Sequence, residues 1–169
     1  MYIDVKNVKF GDCSILCGES EKLLIDCGSS NRGRGLSSSE FPYSMIANEI
    51  NKKEIEKVLI SHFDWDHFNG ILEIPDYYRL KMTYLPYSII DGKSIYGETI
   101  ANLLSVASSE SWGFKLSEKI INLFEKLDEI SINISFVQRG DRIPFDYETI
   151  SIHWPEIDKT KFLIDNLSI

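Results

Sequence analysis

The apolar run Val58-Leu59-Ile60, followed by Ser61-His62-Phe63-Asp64-Trp65-Asp66-His67, constrains this chain more than any other stretch. Such a run reads as a buried strand. Behind its end stand four imidazole or carboxylate side chains within six residues, the ordinary ligands of a divalent ion. If the chain leaves the strand extended, side chains two apart share a side. His62, Asp64 and Asp66 then converge on one volume, and His67 arrives through a change of direction. Gly70 lets the backbone tighten, and Phe68, Ile71, Leu72 and Ile74 predict a short helix or turn packed beneath the site. The stretch reads as a metal site.

Two other readings of the same residues stay open. In one, Asp64 and Asp66 cap backbone N–H groups in a polar loop. In the other, Asp64-x-Asp66 after an apolar strand resembles the nucleophile arrangement of the haloacid dehalogenase phosphotransferases. Those proteins usually carry Thr or Gly soon after the second Asp and need no flanking His pair.

At 169 residues, 43% of them hydrophobic, the chain suits one domain with a real core. Its formal charge of −8 works against nonspecific binding to nucleic acid or an anionic membrane. Asn31-Arg32-Gly33-Arg34-Gly35 is the one local basic loop that offers an exception. No apolar run is long enough to span a bilayer, and the start at Met1-Tyr2-Ile3-Asp4-Val5-Lys6 lacks the pattern of an export signal. A soluble, cytoplasmic chain is expected. Cys13, Cys17 and Cys27 are odd in number and lack Cys-x-x-Cys spacing, which argues for buried free thiols. Cys27, beside Asp26, is read as packing in preference to a ligand or nucleophile.

Along the chain, Tyr2–Val8, Cys13–Cys17 and Lys22–Asp26 predict an antiparallel meander with turns at Gly11-Asp12 and Gly18-Glu19-Ser20-Glu21. Asp26, ending a buried strand before Gly28-Ser29, suits a carboxylate that accepts backbone or imidazole N–H bonds and holds a neighbouring loop. Phe41, Met45, Ile46 and Ile50 give helical spacing over 42–53, leading to a strand at 57–60. Strand, helix, buried strand is the rhythm of an α/β layer, whose ligands gather at the carboxyl ends of strands. A strand at 80–85 is expected to stop at Pro86, with helices over 95–106 and 117–127, the second capped by Ser117. Strands follow at 132–137 and 149–154. His153 lacks a partner ligand at metal spacing and is read as structural, and Trp65, Trp112 and Trp154 as packing residues.

The blocks Gly11-Asp12-Cys13-Ser14-Ile15-Leu16, Leu23-Leu24-Ile25-Asp26-Cys27-Gly28 and Ser61–Gly70 together resemble the metallo-β-lactamase-fold hydrolases. Within these they look like the domain of competence ComEC-type proteins. Arg139-Gly140-Asp141, Ile152-His153-Trp154-Pro155 and Asp165-Asn166-Leu167-Ser168 resemble that subgroup too. The family's hallmark is His-x-His-x-Asp-His, and Asp64 stands where the second His usually does, as is common in ComEC-type members. The resemblance implies that His62 and Asp64 hold one metal and Asp66 and His67 a second. It also implies that Asp66 orients the attacking water and that Asp26 supports the ligands from behind. A carboxylate at 64 makes manganese or magnesium admissible beside zinc, with one or two ions bound.

In the family, the run resembling Asn166-Leu167-Ser168 leads on to a bridging Asp and a further ligand His, whereas this sequence stops at Ile169. The expectation is therefore a single, incomplete domain over residues 1–169: an α/β chain forming the N-terminal half of an αββα sandwich, the second half largely missing. The expected function is a metal-dependent hydrolase using a metal-activated water on a phosphodiester, in a nucleic acid or nucleotide. A small ester, thioester or lactone substrate is one alternative. The other is a non-catalytic half-site module that needs a partner or a downstream segment. Little turnover, weak binding of a single ion, and self-association or a partner chain are expected of the 169 residues alone.

Overall fold

The computed structural model describes residues 1–29, 42–47, 54–86 and 111–153. Six strands form one mixed sheet in chain order: β1 (Tyr2–Val5), β2 (Cys13–Cys17), β3 (Lys22–Cys27), β4 (Glu54–Leu59), β5 (Arg79–Pro86) and β6 (Ile134–Val137). The first three are antiparallel, as short turns require; β3 to β6 are parallel, as longer crossovers require. Between β3 and β4 lies α1 (Pro42–Ala47), and between β4 and β5 lie α2 (Trp65–Phe68) and a 3-10 turn at Ile71–Glu73. The long helix α3 (Ser111–Ile130) precedes β6, and β7 (Arg142–Phe145) pairs with β8 (Glu148–Ser151) as a separate hairpin.

Helix α3 buries Ile120, Leu123, Leu127 and Ile130, a stripe at spacings of three and four, in the same core as Phe68, Ile71 and Ile74. It thereby backs the segment that follows β4. Phe63 meets Phe124 at 5.9 Å between ring centroids, and Lys119 Nζ sits 4.0 Å from the Trp65 ring centroid. The other side of the sheet receives the hairpin, where Ile143, Ile150 and Ile152 pack with Leu59, Met82, Tyr84 and Val137.

Three local readings change. Ser117 lies inside α3 and is not its first residue, because the helix begins at Ser111. The chain past β4 is not extended through Asp66, since α2 begins at Trp65. Arg142–Phe145, which lies between the two strands expected at 132–137 and 149–154, is itself a strand of a two-stranded hairpin, where the missing N–H of Pro144 is tolerated. The expected helix at 95–106, the Arg32/Arg34 loop and the segment from Trp154 onward lie outside the described residues.

A polar clasp ties the hairpin to the β2–β3 turn. Asp146, at φ 50°, accepts the Glu19 N–H (2.6 Å), the Ser20 N–H (3.1 Å) and the Ser20 hydroxyl (2.6 Å). Its own N–H donates to Glu21 Oε2, which also takes Lys57 Nζ at 2.6 Å. The Ser20 hydroxyl bond holds the Asp146 carboxyl below its ordinary 3.8, and the Lys57 ammonium holds Glu21 below its ordinary 4.5. Because both values are depressed by folding, the stability they contribute is present above those ordinary values and lost as pH falls through the lowered ones. We expect Asp146→Ala to lower stability at neutral pH and to flatten its decline in acid. Urea unfolding of both proteins from pH 7 to pH 3 checks this; parallel pH curves would contradict it.

Candidate metal centre

The carboxyl ends of β3 and β4 lie side by side because the two strands are parallel. Asp26, near the end of β3, takes a left-handed backbone (φ 53°), which a short polar side chain tolerates, and is 4% exposed. The Ser61 N–H donates to Oδ1 at 2.7 Å, and the Ser61 hydroxyl to Oδ2 at 2.6 Å. His67 Nδ1 lies 2.9 Å from the same Oδ2. A carboxylate only accepts, so the Nδ1 proton is His67's to donate, and in the neutral imidazole the lone pair is then on Nε2. The hydroxyl of Ser61 has spent its one proton on Asp26 and therefore accepts from His62 Nδ1–H, 2.9 Å away. One buried carboxylate, directly and through one serine, thus sets both imidazoles to the same tautomer.

Both free Nε2 atoms face carboxylates. His62 Nε2 is 3.4 Å from Asp64 Oδ2, and His67 Nε2 is 3.6 Å from Asp12 Oδ2. The two rings lie together, with centroids 3.8 Å apart and planes inclined by 50°. Asp64 stands at the N-cap of α2 yet makes no capping bond with its side chain, so the capping reading does not describe it. Asp66 is half-buried; its carbonyl accepts the Asp12 N–H at 3.1 Å, and its carboxylate makes no hydrogen bond or ion pair among the described residues.

Close backbone contact holds the segment in place. A Cβ on Gly28 would stand 2.3 Å from the carbonyl carbon and oxygen of Asp66. Asn69, fully buried, accepts the Ser29 N–H at 3.0 Å, and the Gly70 N–H donates to the Cys27 carbonyl at 2.7 Å. The hydrogen bond with Cys13, and then burial, push the Cys27 thiol up, away from the reactive thiolate. His153, expected to be structural, is exposed just past β8.

The donors suit a divalent cation. Separations of 3.4 and 3.6 Å are too long for hydrogen bonds. Two ligands of a tetrahedral ion, each about 2.0–2.2 Å from it, stand roughly 3.3–3.6 Å apart. Each imidazole is also held through its other nitrogen, the usual support of a metal-bound histidine. The fit is pairwise: among the described residues, no three His, Cys, Asp or Glu side chains surround one point closely enough to hold an ion.

The mixed sheet, with α3 on one face and ligand-type residues at the ends of β3 and β4, is consistent with a metallo-β-lactamase-like α/β sandwich. Residues 7–82 match the family model of the metallo-beta-lactamase superfamily, and at the level of that superfamily the match points to a metal-dependent hydrolase. No curated protein matches the chain. Among the described residues, no helix is long and apolar enough to cross a membrane.

Three residues of the site were not singled out in the sequence: Asp12, Ser61 and Asn69. Asp12 follows Gly11 and reads as part of a turn, and Asn69 precedes Gly70, where the backbone tightens. Ser61 is the residue before His62 and carries no signal of its own.

Proposed function

We propose that this chain is a metal-dependent hydrolase of the ComEC-like kind, cleaving a phosphodiester. The observation that carries the proposal is the pair of imidazoles locked by Asp26 and Ser61 with both Nε2 lone pairs turned toward carboxylates. With both imidazoles neutral, a cation between each lone pair and its carboxylate would turn repulsion into attraction. Residues that would hold it are His62 with Asp64, and His67; zinc suits the imidazoles, while manganese or magnesium suits the carboxylates. When bound, a divalent ion supplies Lewis-acid activation of water. The chain's own part is to fix both imidazoles through Asp26, to screen the inner side of the site with Phe63, Trp65 and Phe68, and to offer Asp66 as an unengaged carboxylate that orients water. The phosphodiester rests on the resemblance of the Ser61–Gly70 and Leu23–Gly28 blocks.

A second reading has one observation in its favour. Because ligands meet only in pairs among the described residues, a half-site completed from outside them accounts for the geometry equally well. Calorimetric titration with zinc, manganese and magnesium, together with hydrolysis of bis(4-nitrophenyl) phosphate and 4-nitrophenyl acetate, separates the readings. Weak phosphodiester turnover that needs added metal and vanishes with chelator is expected. Metal binding without turnover of either ester would favour the half-site, and absence of metal binding would defeat both readings.

A further inference from the structure

Asp12 occupies a place at this site that neither the ligand block nor the resemblance assigns to it. It follows Gly11, whose φ of 141° is one that residues with a side chain rarely adopt. Its backbone is tied on both sides: the N–H donates to the Asp66 carbonyl at 3.1 Å, and the carbonyl accepts the Gly28 N–H at 2.9 Å. The start of β2 is therefore fastened to the peptide just before His67. The Asp12 side chain, 61% exposed, makes no hydrogen bond among the described residues and stands 3.6 Å from His67 Nε2. That nitrogen has already been left with its lone pair by the bond from Nδ1–H to Asp26. With the neutral imidazole, a cation between the lone pair and the carboxylate turns their repulsion into attraction, and the spacing is that of two ligands on one tetrahedral ion.

We infer that Asp12 is a metal ligand, sharing with His67 Nε2 one divalent cation. This rests on the metal-site reading of His62–His67 and adds a ligand drawn from a different strand. The consequence is a cation that bridges β2 and the segment after β4, two elements already joined by the Asp12–Asp66 backbone bond. Asp66 is then free to act on water, because His67 takes its carboxylate partner from Asp12.

The test uses the full chain with zinc by calorimetry and cobalt(II) by visible absorption. Asp12→Asn keeps the shape and removes the charge; Asp12→Glu keeps the charge; Glu148→Gln, on exposed β8, controls for the loss of one negative charge. We expect Asp12→Asn to weaken zinc binding by at least about tenfold, the scale lost with even an outer partner of a ligand. It should also shift the cobalt(II) d–d band, with partial recovery in Asp12→Glu and no change in Glu148→Gln. Equal affinity and an unchanged band in Asp12→Asn would overturn the inference while leaving the metal site standing; failure of the unsubstituted chain to bind either ion would instead defeat the site itself. Should Asp12→Asn not fold, Asp12→Ser replaces it at this exposed position in both assays: at least about tenfold weaker zinc binding with a shifted cobalt(II) band is expected, and unchanged affinity with an unchanged band would overturn the assignment.

Discussion

Gly28→Ala is expected to unseat the Asp66–His67 segment and to lower stability. The new Cβ would lie 2.3 Å from both the carbonyl carbon and oxygen of Asp66 and 2.6 Å from the His67 nitrogen. All three are backbone atoms, so no rotamer change can relieve the contact, and the Asp66–His67 peptide itself must move. Overpacking of this kind costs about 1–3 kcal/mol, and in a chain of this size each kcal/mol lowers Tm by roughly 2–4 °C. The displacement also carries His67 Nδ1 away from Asp26, which it now meets at 2.9 Å, and the Asp66 carbonyl away from the Asp12 N–H. Zinc affinity should therefore fall by about tenfold or more along with stability. Gly140→Ala provides the contrast: its Cβ would meet nothing within 4 Å, and only the φ of 97° opposes it. That variant should lose stability through backbone strain while binding zinc normally. If Gly28→Ala binds zinc as the unsubstituted chain does, the close approach of β3 to the segment is not what positions His67.

What the sequence disclosed and what it hid divide along the distance over which each signal acts. The alternation in Cys13–Cys17 and the apolar runs of Leu23–Ile25 and Val58–Ile60 are local, and β2, β3 and β4 occur there. The density of ligand types in His62–His67 is equally local. Asp26 was legible because a carboxylate at a buried strand end before Gly and Ser has few ways to be satisfied; bonds from a backbone N–H and an imidazole are what it makes. Asp12 was not legible, because its importance comes from a contact across 55 positions to His67, set by the approach of Gly11 and Gly28 to the Asp66 backbone. The same holds for Asp146, whose clasp on Ser20 spans 126 positions, and which in sequence is only a polar residue after Pro144-Phe145. Ser117 misled because a good capping residue stood before the apolar stripe, while the helix continued upstream to Ser111.

Two substitutions at Asp26 should separate its electrostatic part from its structural one. Asp26→Ala leaves the Ser61 N–H, the Ser61 hydroxyl and the His67 Nδ1–H without their acceptor in a buried place. An unsatisfied buried donor costs about 1–3 kcal/mol. Alanine in the left-handed backbone at φ 53° adds about 1–2 kcal/mol more. Asp26→Asn avoids most of that, since asparagine accepts the left-handed conformation and its amide oxygen can still take the Ser61 N–H. What it cannot do is accept at the second position, where an NH2 group now meets two donors. Relief comes only if the Ser61 hydroxyl turns round and His67 moves its proton from Nδ1 to Nε2. The lone pair that faces Asp12 then disappears, and zinc affinity should fall by about 10–100-fold in a protein that still folds. Nitrogen NMR of the imidazoles reads the tautomer directly. Loss of affinity in Asp26→Asn together with a proton on His67 Nε2 is the expected pair of results. An unchanged tautomer with unchanged affinity would make Asp26 a structural acceptor alone and remove the link between the end of β3 and the chemistry beside β4.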